Sequence, residues 1–278
     1  MSMLHFDPLR EAIEHKLSEL VLKSPHALIE PLFEAARYSL LSSGKRFRPL
    51  LTLVAAQTYG APLETALIPA CALELIHTYS LIHDDLPCMD DDDLRRGKPT
   101  LHKVYNEGHA LLTGDFLLTY AFEVISKAPA LSAEVKLTLI RVLAESAGAN
   151  GMVGGQLIDI AIQDTCADLE TLLLMHSKKT AALFSAALTF GGLIGAAPTD
   201  DLFLLKQIGD NLGSAFQIFD DLVDAGDGKS SCLQQLAPQK AEELAEEKLA
   251  LIKRDLNSLS KAADPLESLV CAIHKQFR

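Results

Sequence analysis

Cysteine is scarce in this sequence of 278 residues, and basic side chains are outnumbered. The five cysteines, Cys71, Cys88, Cys166, Cys232 and Cys271, are scattered without a CxxC pair or zinc-finger spacing. A disulfide framework and a structural zinc site are therefore not expected, and a reducing, cytoplasmic setting is. The 25 Lys and Arg face 37 Asp and Glu, a formal charge of −12. That balance argues against a nucleic-acid backbone or an anionic membrane surface as the main partner, and suits a protein that gathers metal cations. The first twenty residues lack an apolar stretch and carry Asp7, Arg10, Glu11, Glu14 and Lys16, so a signal peptide is not expected there. No repeat, low-complexity linker or shift of composition divides the chain, and residues 1–278 read as a single domain.

Hydrophobic residues make up 49% of the chain, enough for a sizeable core. Residues 180–199 carry no charge and approach the length of a membrane span. Ser185, Thr189, Gly191, Gly192, Gly195 and Pro198 lower the apolarity of this run, and it reads as a buried helix rather than a span.

Helical periodicity runs nearly throughout, and the fold class is all-α. Asp7-Pro8 opens a helix in which Leu9, Ile13, Leu17 and Leu20 recur until Ser24-Pro25. Further helices are expected over 27–42, 45–60 and 63–85, the last kinked at Pro69 and broken by Pro87. The pattern continues over 101–127, 132–148, 150–164, 168–194, 200–225, 238–261 and 265–277. Asn150-Gly151 and Asp227-Gly228 have hairpin-turn composition, but neither lies between alternating runs.

Six aspartates fall within ten residues at the end of the fourth helix: Asp84, Asp85, Asp90, Asp91, Asp92 and Asp93. An acidic run is commonly a solvated loop, but a second cluster in Gln217-Ile-Phe-Asp220-Asp221-Leu-Val-Asp224 changes the reading. Asp220 and Asp224 share a helix face one turn apart, where like charges repel unless a cation lies between them. Carboxylate oxygens are hard donors suited to Mg²⁺, which bridges protein carboxylates to substrate phosphates. Three basic groups could meet such phosphates: Gly44-Lys45-Arg46-Phe47-Arg48, Arg95-Arg96 and Lys178-Lys179.

Taken in order, SSGKRFRP, HTYSLIHDDLPCMDDDDLRRGKPT, GGQLID, KKT and FQIFDDLVD resemble the trans-isoprenyl diphosphate synthases. The match spans about residues 40–230. It is closest to the bacterial farnesyl (geranyl) type, because four residues separate Asp85 from Asp90. The resemblance implies a bundle of about ten or more helices around a deep apolar cavity, as a homodimer. It implies Mg²⁺-dependent condensation of isopentenyl diphosphate with dimethylallyl or geranyl diphosphate to give farnesyl diphosphate. Asp84 and Asp90 would hold two of about three Mg²⁺ ions and Asp220 the third, with Asp85, Asp221 and Asp224 in support. Arg95 would bind the allylic diphosphate, and Lys45, Arg48, His77 and Arg96 isopentenyl diphosphate. Gly44 and Lys229 also fall on substrate-binding positions. Lys179, Thr180 and Gln217 would border the cation and the diphosphate as catalytic groups. Tyr79 and Ser80, just before the first motif, would limit product length to C15. His83 reads as a core histidine.

After Asp224 the chain departs from the family pattern. A longer loop with a further Asp and Gly-Lys pair is replaced by Ala-Gly-Asp227-Gly228-Lys229-Ser230-Ser231. Geranyl and geranylgeranyl diphosphate synthases are alternative readings. A terpene cyclase, which needs no isopentenyl diphosphate site, is opposed by Lys45, Arg48 and the all-Asp second motif. A non-catalytic partner subunit is opposed by the two intact Asp motifs.

Overall fold

The computed structural model describes residues 3–162, 167–226 and 238–276. It is an all-α assembly, as the periodicity predicts. The order is α1 (Asp7–Leu20), α2 (Glu30–Leu40), α3 (Phe47–Thr58), α4 (Leu63–Asp84), β1 (Leu94–Arg95), β2 (Lys98–Pro99), α5 (Leu101–Val104) and α6 (Glu107–Lys127). Then come α7 (Ala133–Ala147), α8 (Met152–Ile162), α9 (Leu169–His176), α10 (Ala182–Ile194), α11 (Thr199–Gly226), α12 (Pro238–Asn257) and α13 (Asp264–His274).

The uncharged run becomes α10, which packs against α3, α4, α7 and α11 and buries Phe184 and Phe190 completely. At 13 residues it is too short to cross a bilayer. Among the described residues, the helix that is long and apolar enough to do so is α4, with 72% of its most apolar window buried inside the protein. Such burial on every side explains its lack of a polar stripe. Pro69 sits inside α4 without ending it, and α4 stops at Asp84, ahead of Pro87.

Three features depart from the periodicity. The expected helix over 101–127 is broken between α5 and α6, where the Asn106 side chain caps α6 by accepting from the His109 N–H at 2.9 Å. The expected helix over 168–194 is continuous in path, but Ser177–Ala181 forms a widened π turn between α9 and α10. Strands β1 and β2 form a small antiparallel hairpin, turned by Arg96 and Gly97 at positive φ. Asp227-Gly228 and Lys229 lie outside the described residues.

Candidate active site

The C-terminal half of α4 and the later part of α11 line a cavity of about 1080 Å³. α4 contributes His77, Tyr79, Ser80 and Asp84, and α11 contributes Phe216, Gln217 and Asp220. The α3 entry adds Gly44, Lys45 and Arg48, the hairpin adds Arg95 and Arg96, and the π turn adds Lys179 and Thr180. Thirteen of the residues singled out in the sequence thus meet around one space. Asp85 and Asp221 are engaged with protein groups beside it. The Asp224 side chain and Lys229 fall outside what is described.

The first acidic motif folds back on itself. Beyond α4, the Asp90 N–H donates to the Asp84 carbonyl at 2.9 Å and the Asp91 N–H to that of Leu86 at 3.2 Å. Four intervening residues therefore bring Asp90 back to Asp84 in a loop rather than on a helix face. Burial, with the Asp90 charge adding to it, pushes the Asp84 carboxyl up to about 6 against the pull of Lys179. Asp90 is also raised, chiefly by burial. One residue on, Asp85 is rotated away: Arg95 Nε donates to its Oδ1 at 2.8 Å, and Arg95 Nη2 reaches both Asp85 and Asp92. The two adjacent aspartates are equivalent in the sequence and do different work in the structure.

The second motif divides in the same way. Asp220 faces the cavity, while Asp221 accepts from Gln217 Nε2 at 2.8 Å and meets buried His176 Nε2 at 3.0 Å. With its amide nitrogen on Asp221, Gln217 turns its carbonyl oxygen to accept from the Thr180 hydroxyl at 2.7 Å. Asp221, Gln217 and Thr180 form one hydrogen-bonded chain, with His176 packed against Asp221, that orients two oxygens at the cavity wall.

Sequence reasoning assigned no role to Asp159 or His176. Asp159, the last residue of GGQLID, pairs with Lys179 Nζ. Burial opposes the Lys179 charge, but Asp159, Asp84 and Asp90 together hold its pKa above the ordinary lysine value. The approach needs Gly155: a Cβ there would lie 2.1 Å from the Lys179 backbone nitrogen. The GGQLID block could have pointed to Asp159. No spacing in the sequence points to His176.

The basic wall is built around Arg46, whose backbone is left-handed at φ 52°. Its guanidinium, fully shielded from solvent, donates to Glu14 at 2.7 Å, Glu74 at 2.6 Å and the Leu40 and Ser42 carbonyls. This network fixes the turn that presents Lys45 and Arg48. Arg48 lies over the Phe184 ring at 4.7 Å, and its buried Nε has no hydrogen-bond partner among the described residues. Burial lowers its pKa to about 10, with Arg96 adding to the effect. His77 is driven well below its usual range by burial and by Arg48, Arg96, Arg46 and Arg95, so its imidazole is neutral. Donors gathered in this positive field suit a polyanion.

The acidic side fits Mg²⁺. Its donors are all carboxylate oxygens, and the burial that raises Asp84 penalises a charge that a bound cation would offset. Among the described residues no three His, Cys, Asp or Glu side chains stand together to hold a metal ion by themselves. An ion sharing its shell with water and substrate phosphate needs no such group.

The sequence model of the polyprenyl synthetase family matches residues 29–241. The chain is 43% identical over 217 residues to the farnesyl diphosphate synthase of Bacillus subtilis (strain 168), covering 77% of this chain and 73% of that protein. It is 41% identical over 261 residues to geranylgeranyl pyrophosphate synthase 7, chloroplastic, of Arabidopsis thaliana, covering 92% and 74%. Among solved structures, an FPP/GFPP synthase from Zymomonas mobilis in its apo form superposes with a TM-score of 0.89 at 39% identity, covering 96% of each chain.

Proposed function

The chain belongs to the polyprenyl synthetase family, a family of prenyltransferases acting on isoprenoid diphosphates, and we propose that it makes farnesyl diphosphate. The reaction joins an allylic diphosphate, dimethylallyl or geranyl, to isopentenyl diphosphate. The observation that carries this reading is the two-sided cavity. Asp84 and Asp220 line it, with the Asp90 charge acting on Asp84, and Lys45, Arg48, His77, Arg96 and Tyr79 line the same space.

Asp84, Asp90 and Asp220 would hold Mg²⁺ against the allylic diphosphate. When bound, Mg²⁺ supplies Lewis-acid stabilisation of the departing diphosphate. Arg95, held to Asp85 and Asp92, and Lys179, held to Asp159, add fixed positive charge beside the leaving group. The oriented oxygens of Gln217 and Thr180 stabilise the allylic cation without bonding to it. Lys45, Arg48, His77 and Arg96 hold isopentenyl diphosphate by direct contact. Two anchoring modes, one by metal and one by side chains, keep the two diphosphates apart.

Product length is set by the tail's floor. Tyr79 is buried, lines the cavity, and has its hydroxyl pushed up to about 12 by burial and by Asp84. Ser80 Oγ donates back to the His77 carbonyl at 2.9 Å, so its hydroxyl folds against its own helix. A large ring beside this small side chain admits a C15 tail and obstructs C20. Geranylgeranyl diphosphate is the second reading, favoured by the Arabidopsis relative's name. A homodimer is the expected assembly, and α6 exposes Leu111 and Leu112 while α8 exposes Val153 and Leu157. Light scattering should give twice the 30.1 kDa of one chain.

The test is to incubate the purified chain with radiolabelled isopentenyl diphosphate, dimethylallyl diphosphate and Mg²⁺, and to size the products by chromatography. A dominant C15 product is expected. C20 would establish the second reading, and no product would refute both.

A further inference from the structure

His83 has no part in the chemistry above, yet it lines the same cavity, one turn along α4 from Tyr79. Its imidazole meets the Tyr79 ring edge-on, with centroids 5.7 Å apart and planes at 74°. On its other side the imidazole is seated on α6. Nε2 donates to the Leu111 carbonyl at 3.0 Å and lies 4.0 Å from Asp115 Oδ1. The seat exists because residue 114 is glycine: a Cβ there would stand 2.0 Å from His83 Nε2 and 2.3 Å from its Cδ2.

A tyrosine ring under pressure from a growing tail yields by leaving its rotamer, unless a neighbour blocks the alternative. His83 is such a neighbour, and it is itself pinned by a second helix. We propose that His83 is a positioning residue for product length: seated at Gly114 and Leu111 of α6, it braces Tyr79 as the floor beneath the tail. Product length then depends on the α4–α6 contact as well as on the bulk of residue 79. The inference rests on Tyr79 being the floor.

The experiment compares products of the full chain and of Tyr79→Ala, His83→Ala and Gly114→Ala, with the same substrates and Mg²⁺. His83→Ala should raise the C20-to-C15 ratio about two- to tenfold, the factor associated with losing an edge-to-face ring contact. Gly114→Ala changes the ratio as well, because its methyl group displaces the imidazole while leaving the diphosphate-binding residues unaltered. A ratio is insensitive to a general loss of active protein, which a merely structural role would produce. If Tyr79→Ala lengthens the product and His83→Ala keeps the parent's ratio, the brace is overturned and the floor stands. If Tyr79→Ala keeps the parent's ratio, the floor fails and the brace fails with it. Should His83→Ala not fold, Gly114→Ala decides in its place.

Discussion

Asp84 is held in a state that folding alone would not select. Its carboxyl is raised from 3.8 to about 6 because burial penalises the charge, and Asp90 adds to that. In the metal-free protein the folded state therefore binds this proton more tightly than the unfolded chain does. The penalty is absent below pH 3.8, grows as pH rises to about 6, and is complete above that. The difference corresponds to about 3 kcal/mol at neutral pH. Asp84→Asn should consequently make the metal-free protein more stable to urea at pH 7 by up to about 3 kcal/mol, with the gain vanishing near pH 4. Turnover should fall by orders of magnitude in the same variant. Equal stability of the two proteins at pH 7 would remove the argument. At the other wall, Lys45→Ala and Arg48→Ala should raise KM for isopentenyl diphosphate by the loss of a charge-assisted hydrogen bond, about 1.5–3 kcal/mol. Initial-rate kinetics with each substrate varied in turn should leave the KM for the allylic substrate nearly unchanged.

Elements bring these residues together, and here the sequence was unevenly legible. The helices, the two Asp motifs and the basic turn could be read because periodicity and charge spacing are local properties. Only the family resemblance set Asp84 apart from Asp85; the physical reason is not local, since α4 ends between them and the hairpin's Arg95 claims the second. Four residues between Asp85 and Asp90 gave no hint that the loop returns Asp90 to Asp84. The π turn at Ser177–Ala181 leaves no propensity trace, yet it presents Lys179 and Thr180 to the cavity. The break before α6 was available in Asn106, a good cap that the apolar pattern on both sides concealed. Gly155 offers a test of the α8 contact with that turn. An added methyl group would meet the Lys179 backbone at 2.1 Å, and a backbone cannot swing aside as a side chain can. Gly155→Ala should cost about 1–3 kcal/mol of stability by overpacking. It should also depress turnover by separating Asp159 from Lys179, with urea denaturation and initial rates as the two measurements.

For the molecule as a whole, a site lacking a closed cage of protein ligands should bind metal and phosphate together. Mg²⁺ with inorganic diphosphate should stabilise the fold by about 2.7 kcal/mol at one hundred times the dissociation constant, and the melting temperature should climb with ligand concentration. Either component alone should do much less, and EDTA should abolish the effect; differential scanning calorimetry reads all four conditions. α4 joins the two ends of the same site. It carries Asp84, the proposed ligand, at its last turn and Tyr79 five residues earlier, on a rod that advances about 1.5 Å per residue. A rod of fixed pitch is a measuring rule. One end registers the head of the substrate, and the graduation that meets the tail is a side chain. Such a rule is recalibrated by exchanging one graduation, with its zero mark left in place. Descendants of one ancestral chain can thus diverge in the length of what they make while inheriting the same chemistry intact.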